Sequence, residues 1–225
     1  NLANVLAEQG KYDDAKPLYQ RAIAIGEKAL GPEHPDVGSM LNNLANVLKA
    51  QGKYDDAKPL YQRAIAIGEK AIGPEHPDLA TWLHNLAGLL RAQGKYDEAK
   101  PLLERAMLIG EKALGPEHPS VANRLKNLAL LLEAQGKYDE ARPLCERAIA
   151  IGEKALGPEH PDVGSWLNNL ANVLKAQGKY NEAKTLYERA IAIGEKTLGP
   201  EHPDYGTYLS NLAGLLKAQG KYDDA

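Results

Sequence analysis

LNNLANVLKAQGKYDD, residues 41–56, reads as the end of one helix, a glycine turn and the start of the next. Its core, NLA followed by QGKYD, returns near-verbatim from Asn1, Asn85, Asn127, Asn169 and Asn211, with the asparagines 42 residues apart each time. A unit repeated in this way cannot bury its apolar faces alone, so it stacks on its neighbours to build a continuous core. At 225 residues the chain would ordinarily suggest one or two globular domains. The repeat instead predicts a single array over 1–225, with units 1–34 (partial), 35–76, 77–118, 119–160, 161–202 and 203–225 (partial).

Within the unit 35–76, Pro35 suits a first helical turn and Asp36 complements the positive helix end. Val37, Leu41, Leu44, Ala45 and Leu48 then recur at helical spacing, which predicts helix A over Pro35–Gln51 with Gly52 as a C-cap candidate. Tyr54 and Asp55 open helix B, and Pro59 is close enough to that start to be tolerated. The apolar face continues through Ala57, Leu60, Tyr61, Ala64, Ile65, Ile67, Ala71 and Ile72 to Gly73, with Pro74 and Pro77 bracketing the GPEHP turn. A mid-helix glycine recurs at Gly26, Gly68, Gly110, Gly152 and Gly194, at a cost of roughly 1 kcal/mol each against Ala. Close backbone packing and a deliberate bend both fit it. No segment alternates with period two, so the expectation is all-α.

The formal net charge of −3 argues against a nucleic-acid partner or an anionic membrane surface. No apolar run is long enough to span a bilayer, and no signal peptide opens the sequence. Cys145 is the only cysteine, which fits a reducing compartment; a cytoplasmic protein is the expectation. The sequence starts and stops inside helical patterns, as an excerpt of a longer array would.

The residues resemble the tetratricopeptide repeat (TPR) family. Leu44, Ala45, Gly52, Tyr54, Ala57, Tyr61 and Ala64 stand at its signature positions. The pattern departs after helix B, where Glu69 replaces the TPR proline and eight residues are added. The GPEHPD turn and longer period are similar to the subclass found in kinesin light chains and many bacterial arrays. The resemblance implies a right-handed superhelical α-solenoid of antiparallel helix pairs, with helix A concave and helix B convex. It also implies extended peptides held in the concave groove by helix-A asparagines.

Comparison of the units shows where they diverge. The position of Asn42 becomes His84, Lys126, Asn168 and Ser210; that of Asn46 is Asn4, Gly88, Leu130, Asn172 and Gly214; that of Lys49 becomes Ala7, Arg91, Glu133, Lys175 and Lys217. At about 100° per residue these three positions fall within roughly 60° of one another, away from the Val37/Leu41/Leu44/Leu48 face. The exposed positions of helix B, those of Lys16, Arg21, Glu27 and Lys28, barely change. The asparagines present in every unit (Asn1, Asn43, Asn85, Asn127, Asn169 and Asn211) edge the variable stripe. Their carboxamides could pair with a peptide backbone or bond to the neighbouring repeat. Lys49, Arg91, Lys126, Lys175 and Lys217 make the stripe locally basic, with Glu133 the exception, which favours acidic peptides or a terminal carboxylate, while a solvated charged face is the plain alternative. Trp82 and Trp166, at the position of Met40, Arg124 and Tyr208, read as inter-repeat packing, with a groove-edge pocket as the alternative.

His34, His76, His118, His160 and His202 recur once per repeat, too far apart for one metal, and read as caps or turn residues. Cys145 reads as core filler at the place of Tyr19, Tyr61 and Tyr187. No catalytic constellation or cofactor motif is found. The expected function is a scaffold that binds a peptide or protein segment; the rival is an array that self-associates head to tail through uncapped ends.

Overall fold

The computed structural model describes residues 2–220. Among them are eleven α-helices and no strand: α1 (Leu2–Glu8), α2 (Tyr12–Leu30), α3 (Pro35–Ala50), α4 (Tyr54–Ala71), α5 (Pro77–Ala92), α6 (Tyr96–Leu114), α7 (Pro119–Ala134), α8 (Tyr138–Leu156), α9 (Pro161–Ala176), α10 (Tyr180–Thr197) and α11 (Pro203–Ala218). Odd-numbered helices are helix A and even-numbered ones helix B. Asn1 and residues 221–225, which hold the last copy of the helix-B start, lie outside the described residues.

The chain divides into two compact units, Asn1–Ala113 and Leu114–Ala225. In the first, α3 packs against α4 within its repeat, and α2 against α3, α4 against α5 and α3 against α5 join neighbouring repeats. In the second, α7 with α8 and α9 with α10 are the helix pairs, joined by α8 to α9, α7 to α9, α10 to α11 and α9 to α11.

Local chemistry sets the helix ends. Pro35, Pro77, Pro119, Pro161 and Pro203 each occupy the first helical position, where a missing N–H is no loss. The preceding histidine is the N-cap: Nδ1 of His34, His76, His118, His160 and His202 accepts from the backbone N–H of Asp36, Asp78, Ser120, Asp162 and Asp204 at 3.1–3.2 Å. The capping role read from the spacing therefore holds. At the other end Gly52 has φ +74°, its N–H donates to Lys49 O at 3.0 Å, and the Lys53 N–H reaches Leu48 O at 2.9 Å. This pair of bonds is a Schellman motif, which satisfies the last carbonyls and needs a residue free to take positive φ. Helix B starts at Tyr54 with no side-chain cap, so Asp55 and Asp56 act there only as first-turn charges.

The mid-helix glycine proves to be a packing device. A Cβ on Gly68 would fall 2.6 Å from Trp82 Cζ3, and one on Gly152 only 1.9 Å from Trp166 Cζ3. Each indole from helix A of one repeat lies directly on the backbone of helix B of the repeat before. Trp82 and Trp166 keep only 4% and 1% of their surface, so they are inter-repeat core and line no groove edge. Tyr208 covers Gly194 in the same way, and Met40 lies over Gly26.

The steady exposed residues of helix B have an equally specific reason. Lys70 pairs with Glu33 at 2.9 Å and Lys196 with Glu159 at 2.6 Å, while Lys112–Glu75 and Lys154–Glu117 make the same bond. Arg63–Glu27 and Arg189–Glu153, both 2.7 Å, and Arg105–Glu69 at 2.5 Å form a second rung. Each pair spans consecutive repeats. Singly such exposed pairs contribute little, but all of them favour the same register.

Gly152→Ala should lower thermal stability, because an indole ring cannot yield to a Cβ as a flexible chain end can; overpacking of this kind costs about 1–3 kcal/mol. Gly26→Ala is the control. Its Cβ would meet Val37 Cγ2 at 3.4 Å and Met40 Sδ at 3.5 Å. There the gain in helix propensity, roughly 1 kcal/mol, should leave stability unchanged or higher. Thermal melts followed by circular dichroism distinguish the two outcomes.

Candidate functional site

The variable stripe of helix A divides between side chains engaged inside the structure and side chains left open. Asn42 and Asn168 are 5% exposed, the only buried polar side chains among the described residues. The sequence reading, which has them pointing away from the core, is corrected here. A helical wheel counts one helix, whereas helix A of the next repeat covers this edge of the stripe: Asn85 Nδ2 donates to Asn42 Oδ1 at 3.0 Å, and Asn211 Nδ2 to Asn168 Oδ1 at 2.9 Å. Buried carboxamides need such partners.

Asn46 and Asn172 are half-buried and also engaged. The hydroxyl of Tyr61 donates to Asn46 Oδ1 and that of Tyr187 to Asn172 Oδ1, each at 2.5 Å, and Tyr19 does the same to Asn4. Burial pushes the Tyr61 and Tyr187 phenols well above the usual range, so both remain donors. The two positions change together along the chain. Where Gly88 replaces the asparagine, Leu103 replaces the tyrosine; where Leu130 replaces it, Cys145 does. That paired change was visible in the sequence and is the signal by which these tyrosines could have been found. Cys145 is buried, its thiol pushed up to about 12 first by burial and then by Glu133 and Glu146, which fits core filler.

Four of the five stripe cations, Lys49, Arg91, Lys126 and Lys175, are half-buried. Lys49 is half-buried, and burial first, then the Arg91 cation, hold its ammonium below the usual lysine range. Its Nζ occupies the space opened by Gly88, where a Cβ would stand 2.9 Å away; Lys175 lies over Gly214 in the same way, at 3.2 Å. Arg91 and His84 are half-buried, whereas Ser210 and Lys217 on α11 are exposed. Lys126 Nζ reaches Ser165 Oγ at 3.4 Å.

The remaining asparagines of the ladder differ. Asn43, Asn127 and Asn169 are half-buried. Asn43 accepts a long 3.4 Å bond from Asn42, and Asn127 donates to Asn123 O of its own helix at 2.8 Å. Asn43 and Asn46 border an open recess of about 360 Å³ with Asn4, Ala7, Glu8, Tyr12, Tyr19, Val47 and Ala50. Tyr12 and Glu8 belong to this recess, although nothing in the repeat pattern singles them out. Ala7 stands at the Lys49 position, and its small side chain leaves the opening free. Among the described residues no three His, Cys, Asp or Glu side chains converge as metal ligands would, and no helix is long and apolar enough to cross a membrane.

The tetratricopeptide repeat pattern matches residues 1–70, 36–107, 78–143, 124–196 and 162–225, which together take in the whole sequence. The chain belongs to the tetratricopeptide repeat family. A crystal structure of a Podosopora anserina putative kinesin light chain, described as nearly identical TPR-like repeats, is 34% identical; the match covers 88% of this chain and 94% of that one with a TM-score of 0.77. BtubC (BKLC) from P. vanneervenii, at 22% identity, covers 95% of this chain and 84% of its own with a TM-score of 0.76, and shares the fold. No curated protein matches. The all-α solenoid of helix pairs read from the repeat is therefore the fold of this TPR chain, and the family generally mediates protein–protein interactions.

The tyrosine–asparagine pair can be measured. In a double-mutant cycle of Asn46→Ala and Tyr61→Phe, each single change should cost about 0.5–1.5 kcal/mol and the double change less than their sum. Additive costs in urea unfolding would show that the two groups do not act together.

Proposed function

We propose that this TPR chain is an interaction scaffold that holds an extended peptide or protein segment along the helix-A stripe, in the concave groove of a single repeat array. One observation carries the reading: half-buried carboxamides border an open recess of about 360 Å³ that the fold itself does not fill. Asn43, Asn127 and Asn169 supply both donors and acceptors, which suits the backbone of an extended segment and asks little of its sequence. Asn85 and Asn211 retain Oδ1 for the same purpose while Nδ2 holds the neighbouring repeat. Asn42, Asn168, Asn46 and Asn172 act behind them as positioning residues, fixing the stripe from which the ligand is read. Lys49, Arg91, Lys126, Lys175 and Lys217 give much of the stripe a positive potential, which favours acidic segments over most of its length. An array of helix pairs suits binding, and a cytoplasmic setting suits its single buried thiol.

The triple change Asn43→Ala, Asn127→Ala and Asn169→Ala tests the reading. None of these side chains bonds to an adjacent repeat in the structure, so the melting temperature should hold. Affinity for peptides selected from a random library on the parent chain should fall about tenfold or more, as expected for several lost hydrogen bonds of roughly 0.5–1.5 kcal/mol each. Unchanged affinity would remove the groove from consideration, and concentration-dependent light scattering would then test head-to-tail stacking instead.

A further inference from the structure

Helix α7 presents a different chemistry from every other helix A. At the three stripe positions it carries Lys126, Leu130 and Glu133, where α3 carries Asn42, Asn46 and Lys49, and α9 carries Asn168, Asn172 and Lys175. Leu130 replaces the asparagine that in repeats 35–76 and 161–202 accepts from a tyrosine hydroxyl, and Cys145 replaces that tyrosine, so this repeat has an apolar patch where those two have an amide–phenol pair. Leu130 remains half-exposed. Glu133 stands where four other repeats carry a cation: Lys49, Arg91, Lys175 and Lys217. It is half-buried, burial raises its carboxyl above the usual range, and among the described residues it makes no ion pair. It lies near enough to Tyr187 of the next repeat to raise that phenol further.

A carboxylate half removed from water and outside any ion pair is unfavourable, and a cation placed beside it gains correspondingly. A leucine one turn away on the same face offers the stem of that cationic side chain, or an adjacent residue, apolar surface to cover. Resting on the groove reading above, we propose that α7 is the specificity-determining element of the stripe. Leu130 and Glu133 together take an apolar residue adjacent to a lysine or arginine of the bound segment, within a groove otherwise suited to acidic chains. The sign reversal fixes the ligand's register, because a basic residue shifted by one repeat toward α9 would face Lys175.

The test selects a random peptide library on the immobilised 225-residue chain, on Glu133→Lys and on Glu133→Gln. Lysine already fills this position in three repeats, and glutamine preserves the shape, so at least one variant retains the fold, checked by its melting curve. Parent-selected peptides should be enriched in Lys or Arg beside an apolar residue. They should bind Glu133→Gln roughly tenfold more weakly and Glu133→Lys more weakly still. The Glu133→Lys selection should lose the cation or exchange it for Asp or Glu. The double change Leu130→Asn and Cys145→Tyr, which installs the pair seen in repeats 35–76 and 161–202, should remove the apolar preference. Parent peptides without cation enrichment, or a cation preference that survives in Glu133→Lys, overturn the assignment of α7 while leaving the groove reading standing. Failure of the parent chain to select any peptide overturns both.

Discussion

The contact on which the rest depends is an aromatic side chain laid on a bare stretch of helical backbone. Helix B gives up a side chain at a mid-helix position, Gly68 or Gly152, and helix A of the following repeat fills the space with Trp82 or Trp166, as Tyr208 does over Gly194 and Met40 over Gly26. A glycine inside a helix costs roughly 1 kcal/mol, whereas full burial of a large aromatic contributes several times that, so the exchange favours the packed form. Because the contact is made between repeats, no helix pair acquires it alone. Cooperativity between neighbours is thus built into the sequence of each unit.

That contact also fixes which surfaces are free. Once two repeats are in register, the arginine and lysine of helix B meet the glutamates of the preceding repeat, and the glutamine of the QGK turn meets an aspartate across the same junction, as in Gln51–Asp13 at 2.8 Å and Gln177–Asp139 at 2.7 Å. The constancy of helix B is therefore structural, however exposed its residues look. This removes one support for reading function into the variability of helix A by contrast, since the two faces were never under equal constraint. What remains in favour of the helix-A stripe is its own geometry and composition: an open recess, half-buried amides and a series of like charges.

Much of the architecture was legible because it rests on local rules applied many times. Pro35 at a helix start, Gly52 with positive φ, His34 at the turn and the spacing of Val37, Leu41, Leu44 and Leu48 each state their role within a few residues. The stripe was legible only in part, since the role of an amide depends on what the next repeat places against it. Asn42 and Asn43 are adjacent in sequence and equally polar, yet one is buried under α5 and the other borders an opening. A single helical wheel cannot separate them. The paired change of Asn46 with Tyr61 and of Leu130 with Cys145 could have, since two positions that vary together across copies are best explained by touching.

The same pairing shows how an array of near-identical repeats can acquire a directional groove. Exchange of one amide–phenol pair for Leu130 and Cys145 leaves the fold intact, because both substitutes are apolar and the second is buried. The exchange frees the stripe at that repeat from a structural duty. Glu133, one turn further on, can then reverse the local charge without opposing a neighbouring bond. Repeats that keep the pair, such as 35–76 and 161–202, hold their asparagine in place and have less freedom to diverge there. Variation in a repeat array is therefore most informative where a conserved internal hydrogen bond has been removed as a unit. In this chain that condition is met with an apolar, half-exposed substitute on the stripe at α7, whereas Gly88 on α5 leaves its space to Lys49.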